Sequence, residues 1–475
     1  MTIIDELRSR ARQQPDHPAL IADRTDGRPE LVVSYAELIE RMDRFAERLR
    51  TAGCKPYERT GLLASQGIGF VEAGLGILAA GLCFVPLSDD YDGAALDGFV
   101  KRSQLHSLLR EANDFQLQRF PDARDVDGQG DAAFRALQPA YIRFTSGTTN
   151  ERKGVIIGHQ AILDRLANAN QALQIGPADR IMWMLPMAHH FVVSILLYLR
   201  YGATILFPRN YLSRPVLELA NSHAATVFYA SPYHYDLLAK DVSELGLPGV
   251  RLAISTASGL SQDIAERFYS RMQIPLSQAL GVIEIGLPVI NLQRPRQKPL
   301  SLGQVLPAYE VWLRGDDGTP VTGTDPDTSH GEVCIRGTGT FDAYMDPWVP
   351  ASEIMQPDGF RTGDQGYFDV DGDLFLMGRR HNRINMAGMK FFSEEVEAVL
   401  NGHPGIKESR VYGQPHAHLG EIPMAEVVAV DPAHPPSSAE LSAYCKQRLA
   451  VHKVPFKFEL VPDLVYTATG KIKRW

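Results

Sequence analysis

A chain of 475 residues, 44% hydrophobic and 22% charged, can bury a large core and is too long for a single one, so two or three domains are expected. Its formal net charge of −8 excludes a dedicated nucleic-acid or anionic-membrane surface, and any anionic ligand must be held by a local cluster of donors. The four cysteines, Cys54, Cys83, Cys334 and Cys445, stand far apart without metal-type pairs, which points to free thiols in a reducing, cytoplasmic setting.

In chain order, Met1-Thr2-Ile3-Ile4-Asp5-Glu6-Leu7 is acidic early and lacks an apolar core, so it is no signal peptide. The longest apolar run, Ala73 to Leu87, is too short for a membrane span and contains Pro86; it reads as a buried helix passing into a strand. Between Tyr141 and Val155 an apolar run breaks into Thr145-Ser146-Gly147-Thr148-Thr149 and ends in Lys153-Gly154. Glycine-freed N–H groups, hydroxyls and a lysine charge make a loop suited to wrapping phosphates. The loop is not that of nucleotide triphosphatases. Counted from Gly147, Arg152 stands where the second glycine is required and Gly154 where a hydroxyl should follow the lysine.

Helical patterns alternate with short apolar runs at Ala203 to Phe207, Ala225 to Tyr229 and Leu252 to Ser255, predicting α/β layers. Beyond residue 300, turns at Asp316-Asp317-Gly318 and Asp371-Gly372-Asp373 separate short alternating runs, which reads as antiparallel hairpins. The charged run Arg379 to Arg383 marks a junction. After it, Ser393 can cap a helix carrying Glu394 and Glu395 in its first turn, and the tail reads as a small α+β domain.

Six short motifs stand in one order along almost the whole chain: Ala79-Ala80-Gly81 to Pro86-Leu87, Thr145 to Gly154, Gly281-Val282-Ile283-Glu284, Thr362-Gly363-Asp364, Gly378-Arg379 with Gly388-Met389-Lys390, and Thr469-Gly470-Lys471-Ile472. Together they resemble the adenylate-forming superfamily of acyl-CoA synthetases, peptide-synthetase adenylation domains and luciferases, closest to the aryl- and acyl-acid ligases. The departures are Asn150 for a glycine, Arg152 for a proline, Leu280 for a tyrosine, Ile283 for a threonine and His381 for the hinge aspartate. Asn150 tolerates positive φ and can keep the turn.

The resemblance implies a large N-terminal domain, 1–379, of layered α/β subdomains plus a β-rich subdomain, and a small mobile C-terminal α+β domain, 380–475, carrying Lys471. It implies ATP and Mg2+ as cofactors, with Thr145, Ser146, Gly147, Thr148, Thr149 and Lys153 on the phosphates, Asp364 on the ribose hydroxyls, and Arg379 on ribose or phosphate. Glu284 and Thr149 would hold the metal, since hard cations want oxygen ligands. A carboxylic acid is ionised near neutral pH and needs no general base to attack the α-phosphorus. What it needs is positioned positive charge, and Lys471 is the candidate.

The acid pocket is expected around His189, His190 and Phe191, completed by Tyr229, Ser255, Thr256, Ala257 and Gly281. No acidic residue occurs from His189 to Ser194, which disfavours an α-amino acid, because nothing there would pair with its ammonium. Ser194 also stands where a His-His-x-x-x-Asp acyltransferase needs aspartate. The expected reaction is activation of a small aromatic or hydrophobic carboxylic acid to an acyl-adenylate, then transfer to a thiol entering beside Gly388. Coenzyme A is the first choice of thiol. The alternative is the phosphopantetheine arm of a separate acyl or peptidyl carrier protein, no carrier domain being expected downstream of Trp475. Luciferase-like oxidation of the adenylate and a non-catalytic scaffold are the competing classes, and retention of Lys471 argues against the scaffold.

Overall fold

The computed structural model describes the chain apart from residues 25–28, 90, 111–114, 129–130, 145–152, 356, 467–471 and 475. It groups into two compact units: Met1–Pro299 with Val305–Glu310 and Arg336–Phe360, and Leu300–Gln304 with Val311–Ile335 and Arg361–Trp475.

The first unit holds two sheets, parallel at their centres. One runs in the order Val349–Pro350, Ala343–Met345, Gly154–Gly158, Pro139–Phe144, Cys83–Pro86, Arg59–Leu63, Ser107–Arg110, Gln116–Arg119. The other runs Gly286–Ile290, Leu276–Val282, Leu252–Ser255, Val227–Ala230, Arg180–Trp183, Thr204–Phe207, Pro18–Ala22, Leu31–Ser34. Strands such as Cys83–Pro86 and Thr204–Phe207 are buried at every position, as expected of parallel strands covered on both faces. The run from Ala73 to Leu87 folds as read. Helix Ile68–Ala79 is apolar on all sides and buried along its length, and it leads into strand Cys83–Pro86.

The second unit contains an antiparallel sheet in the order Pro320–Val321, Tyr309–Arg314, Gly331–Gly337, Phe360–Phe368, Leu374–Arg379, its turns at the two predicted Asp/Gly clusters. In the tail, Met389–Phe392, Arg383–Met386, Gly420–Ala429 and Ile406–His416 form a second sheet, with Lys457–Leu460 parallel to Gly420–Ala429. Helices Ser393–Asn401 and Ser438–Lys446 close a core of Ile384, Phe391, Val396, Leu400, Val411, Val427 and Leu441. The expected cap is corrected by one residue. Ser393 is the first helical residue rather than the cap; Glu395 accepts the backbone N–H of Phe392 at 3.1 Å, and the Ser393 hydroxyl accepts from Arg474 at 2.7 Å.

Candidate active site

Strands Pro139–Phe144 and Gly154–Gly158 are antiparallel partners, with Phe144 opposite Gly154. The expected phosphate contacts Thr145, Ser146, Gly147, Thr148 and Thr149 lie between them, outside the described residues, as does Lys471. Lys153 is described and exposed; its Nζ stands 5.0 Å from the ring centroid of Tyr344. Tyr344 sits on Ala343–Met345, which pairs with Gly154–Gly158, and its hydroxyl donates to Glu284 Oε1 at 2.9 Å. One tyrosine thus joins the lysine of the phosphate motif to the expected metal ligand.

Glu284 lies in the turn between Leu276–Val282 and Gly286–Ile290 and is 8% exposed. Burial raises its pKa above the ordinary glutamate value, while the Tyr344 hydrogen bond and the charges of Arg143 and Arg165 oppose the rise. The backbone of this turn is pinned from outside. Phe341 N–H donates to the Glu284 carbonyl at 2.7 Å. Arg165, fully enclosed in helix His159–Leu173, donates to the Ile283 carbonyl at 3.1 Å and twice to the Gly339 carbonyl, at 3.0 and 2.7 Å. Burial pulls that guanidinium down to about 10; it remains charged near neutral pH.

Gly339 makes the approach possible. It has φ +72, and a Cβ there would lie 2.5 Å from the backbone nitrogen of Arg165. Gly339→Ala is therefore expected to cost about 2 kcal/mol or more, from left-handed strain and overpacking combined. Lowering of the thermal midpoint of the variant checks this.

The acid side of the site is built between the two sheets. From one sheet, Tyr141 donates to the Ala188 carbonyl at 3.2 Å, and Arg143 NH1 to the His189 carbonyl at 2.7 Å. From the other come Trp183 and Tyr229, register partners on adjacent parallel strands, stacked with ring centroids 5.8 Å apart. The His190 ring meets both edge-on, at 6.1 Å from Trp183 and 5.7 Å from Tyr229. A π-helical turn, Phe191–Ile195, follows the histidine pair directly, a geometry frequent at functional sites.

The remaining expected pocket residues separate. Phe191 is fully buried with its ring against Phe70 and Phe84, behind the wall rather than on it. Tyr229 shares a sheet face with Trp183 and Ile254, whereas Ser255 shares the opposite face with Ala230 and Gln278. The strand therefore does not bring Ser255 to the Tyr229 side. Thr256 is buried, its N–H donating to the Ala230 carbonyl at 3.1 Å. Ala257 is exposed and holds φ +74, a strained conformation of the kind that collects at ligand sites. Gly281 is exposed, with open space where a Cβ would be.

In the second unit, Asp364 and Arg379 are register partners on antiparallel strands, with Arg379 Nε 2.6 Å from Asp364 Oδ1. Two residues read as nucleotide contacts from separate motifs thus form one ion pair. Gly388 and Ala387 form the two-residue turn between Arg383–Met386 and Met389–Phe392, with φ +88 and +52, which is the conformation of a type I′ hairpin.

Sequence reasoning missed Arg143, Arg165, Trp183 and Tyr344. Only Arg143 carried a usable signal, a charge in an otherwise apolar strand directly before the phosphate motif.

The model of the AMP-binding enzyme family matches residues 7–345, and that of the AMP-binding enzyme C-terminal domain matches residues 395–471. The chain belongs to the AMP-binding enzyme family. It is 26% identical to the 2-succinylbenzoate–CoA ligase of Bacillus licheniformis, over 98% of each chain. It is also 26% identical to a feruloyl-CoA synthase of Amycolatopsis, over 93% of this chain and 92% of the relative. In fold it is similar to the o-succinylbenzoate CoA synthetase of Bacillus subtilis solved with its acyl-adenylate intermediate, with a TM-score of 0.84 at 24% identity, covering 99% of this chain and 96% of that one. No helix among the described residues is long and apolar enough to cross a membrane.

Proposed function

We propose that this enzyme activates an aromatic or hydrophobic carboxylic acid with ATP, forming an acyl-adenylate and pyrophosphate, and then transfers the acyl group to the thiol of coenzyme A. The supporting observation is the meeting of Glu284 and the His189–His190 segment around Arg143, next to the strands that flank the phosphate motif. The relatives named as 2-succinylbenzoate and feruloyl ligases act on aromatic acids, which agrees with the Trp183, His190 and Tyr229 rings.

In this reading the acid's carboxylate oxygen attacks the α-phosphorus and pyrophosphate leaves. The thiol sulfur then attacks the acyl carbonyl and AMP leaves. Thr145 to Thr149 and Lys153 bind the phosphates, and Asp364 with Arg379 the ribose. Residues 380–475 form the small domain that carries Lys471 to the reacting atoms and later turns Gly388 toward the thiol path, a motion of the kind that gates many enzymes. A buried carboxylate with a raised pKa fits a hard cation, which would supply the missing countercharge. Glu284 and Thr149 would hold Mg2+, and the ion would neutralise phosphate charge as a Lewis acid.

Because the pKa of Glu284 is raised, the folded protein retains a proton there at pH values where the unfolded chain has lost it. Stability from this group therefore falls as pH rises above the ordinary glutamate value, while competence to bind a cation increases. Glu284→Gln is expected to melt at or above the parent temperature near neutral pH in the absence of ligand, and thermal denaturation at several pH values checks it. Release of AMP and thioester on mixing the enzyme with acid, ATP and coenzyme A tests the full reading. If thioester forms only when a phosphopantetheine-bearing carrier protein replaces coenzyme A, the acceptor is the carrier.

A further inference from the structure

We propose that the acid pocket is built for a substrate with a second anionic group, and that the Arg143 guanidinium is the residue that receives it. The inference deepens the adenylating reading and rests on it. Arg143 lies on strand Pro139–Phe144 and makes one hydrogen bond among the described residues, NH1 to the His189 carbonyl at 2.7 Å. Its Nε–H is buried with no acceptor. Across the interlayer space, the Trp183 side chain is 0% exposed and its indole N–H likewise has no acceptor.

Trp183 stacks on Tyr229, and the charge of Arg143 acts on the Tyr229 hydroxyl from the other side. Two buried donors therefore stand on either side of Tyr229 with nothing to donate to. Leaving buried donors unmade is costly, and a site that does so is shaped for an acceptor that arrives with the ligand. A guanidinium matches an oxyanion best, because its planar fork suits carboxylate or sulfonate oxygens.

The nearest acidic group acting on Arg143 is Glu284, whose carboxylate already receives Tyr344. If Glu284 is committed to a cation, the Arg143 charge remains to be neutralised by the substrate. The reacting carboxylate belongs at the α-phosphate, beside residues 145–149. The opposite end of a short acid then lies toward Tyr229 and Trp183, where the open donors are.

The test compares acids that differ only in the second charge: terephthalate with its monomethyl ester, and succinate with its monomethyl ester, by acid-dependent ATP–pyrophosphate exchange. The parent enzyme is expected to prefer the dianion of at least one pair by about 10- to 100-fold in kcat/KM, the worth of a charge-assisted hydrogen bond in a buried site. Arg143→Met should bring that pair to near parity, with the ester changed by less than about threefold, and Arg143→Lys should keep part of the preference.

Equal turnover of dianion and ester by the parent enzyme overturns the proposal without any variant. So does an Arg143→Met protein that loses both acids equally, which would place the guanidinium on the reacting carboxylate. Silence of the parent with all of these acids and with simple benzoic and aliphatic acids would sink the adenylating reading itself.

Discussion

Lys471→Ala is expected to lower acid-dependent ATP–pyrophosphate exchange by about 1000-fold, the upper range for removing one preorganised donor at a developing charge. The acid attacks as a carboxylate, so no base is lost in the variant. What is lost is the positive charge that lets two anions approach, and in a water-poor site bulk solvent does not replace it. The second half-reaction supplies the control. Once a synthetic acyl-adenylate is provided, the phosphate charge to be overcome is gone, and conversion to thioester should proceed within about threefold of the parent rate, a difference under one kcal/mol. Exchange at the parent rate in Lys471→Ala would mean that another group supplies the charge.

Glu284→Ala is expected to lower exchange by about 100-fold or more, because the metal would lose an inner carboxylate and the pocket would gain an uncompensated positive charge from Arg143 and Arg165. Tyr344→Phe separates orientation from charge. It removes the 2.9 Å hydrogen bond to Oε1 but leaves the carboxylate, so a loss of about tenfold is expected, one net hydrogen bond's worth. Raising Mg2+ should recover part of the Tyr344→Phe defect and none of the Glu284→Ala defect. Titration of exchange against Mg2+ for the three proteins reads this directly; identical metal dependence in all three would remove Glu284 from the metal site.

The sequence patterns that survived in the fold are the ones set by local physics. Runs around Thr204–Phe207, Val227–Ala230 and Leu252–Ser255 are apolar and β-rich over a strand's length, and all three became buried parallel strands. The Asp/Gly turns near 316 and 371 bend the chain wherever they are placed, and the hairpins followed.

The pocket was less legible. Ser255 and Tyr229 stand near the ends of neighbouring strands, but alternation puts them on opposite faces, and only the register reveals that. Phe191 follows the histidine pair, yet the π-helical turn and the Phe70–Phe84 aromatic cluster take its ring into the core. Tyr344 and Arg165 reach Glu284 from distant parts of the chain, through strand pairing and a helix held against Gly339. No periodicity announces such arrivals. Arg143 was visible as a charge inside an apolar strand, but its meaning depends on which carbonyl it meets.

The central claim is best tested by ATP–pyrophosphate exchange across benzoic, hydroxybenzoic, cinnamic, short and medium aliphatic, and α-amino acids. Exchange that requires an acid and is confined to aromatic or hydrophobic members is the predicted result. Folded protein that exchanges with none of them, or only with α-amino acids, would contradict the account.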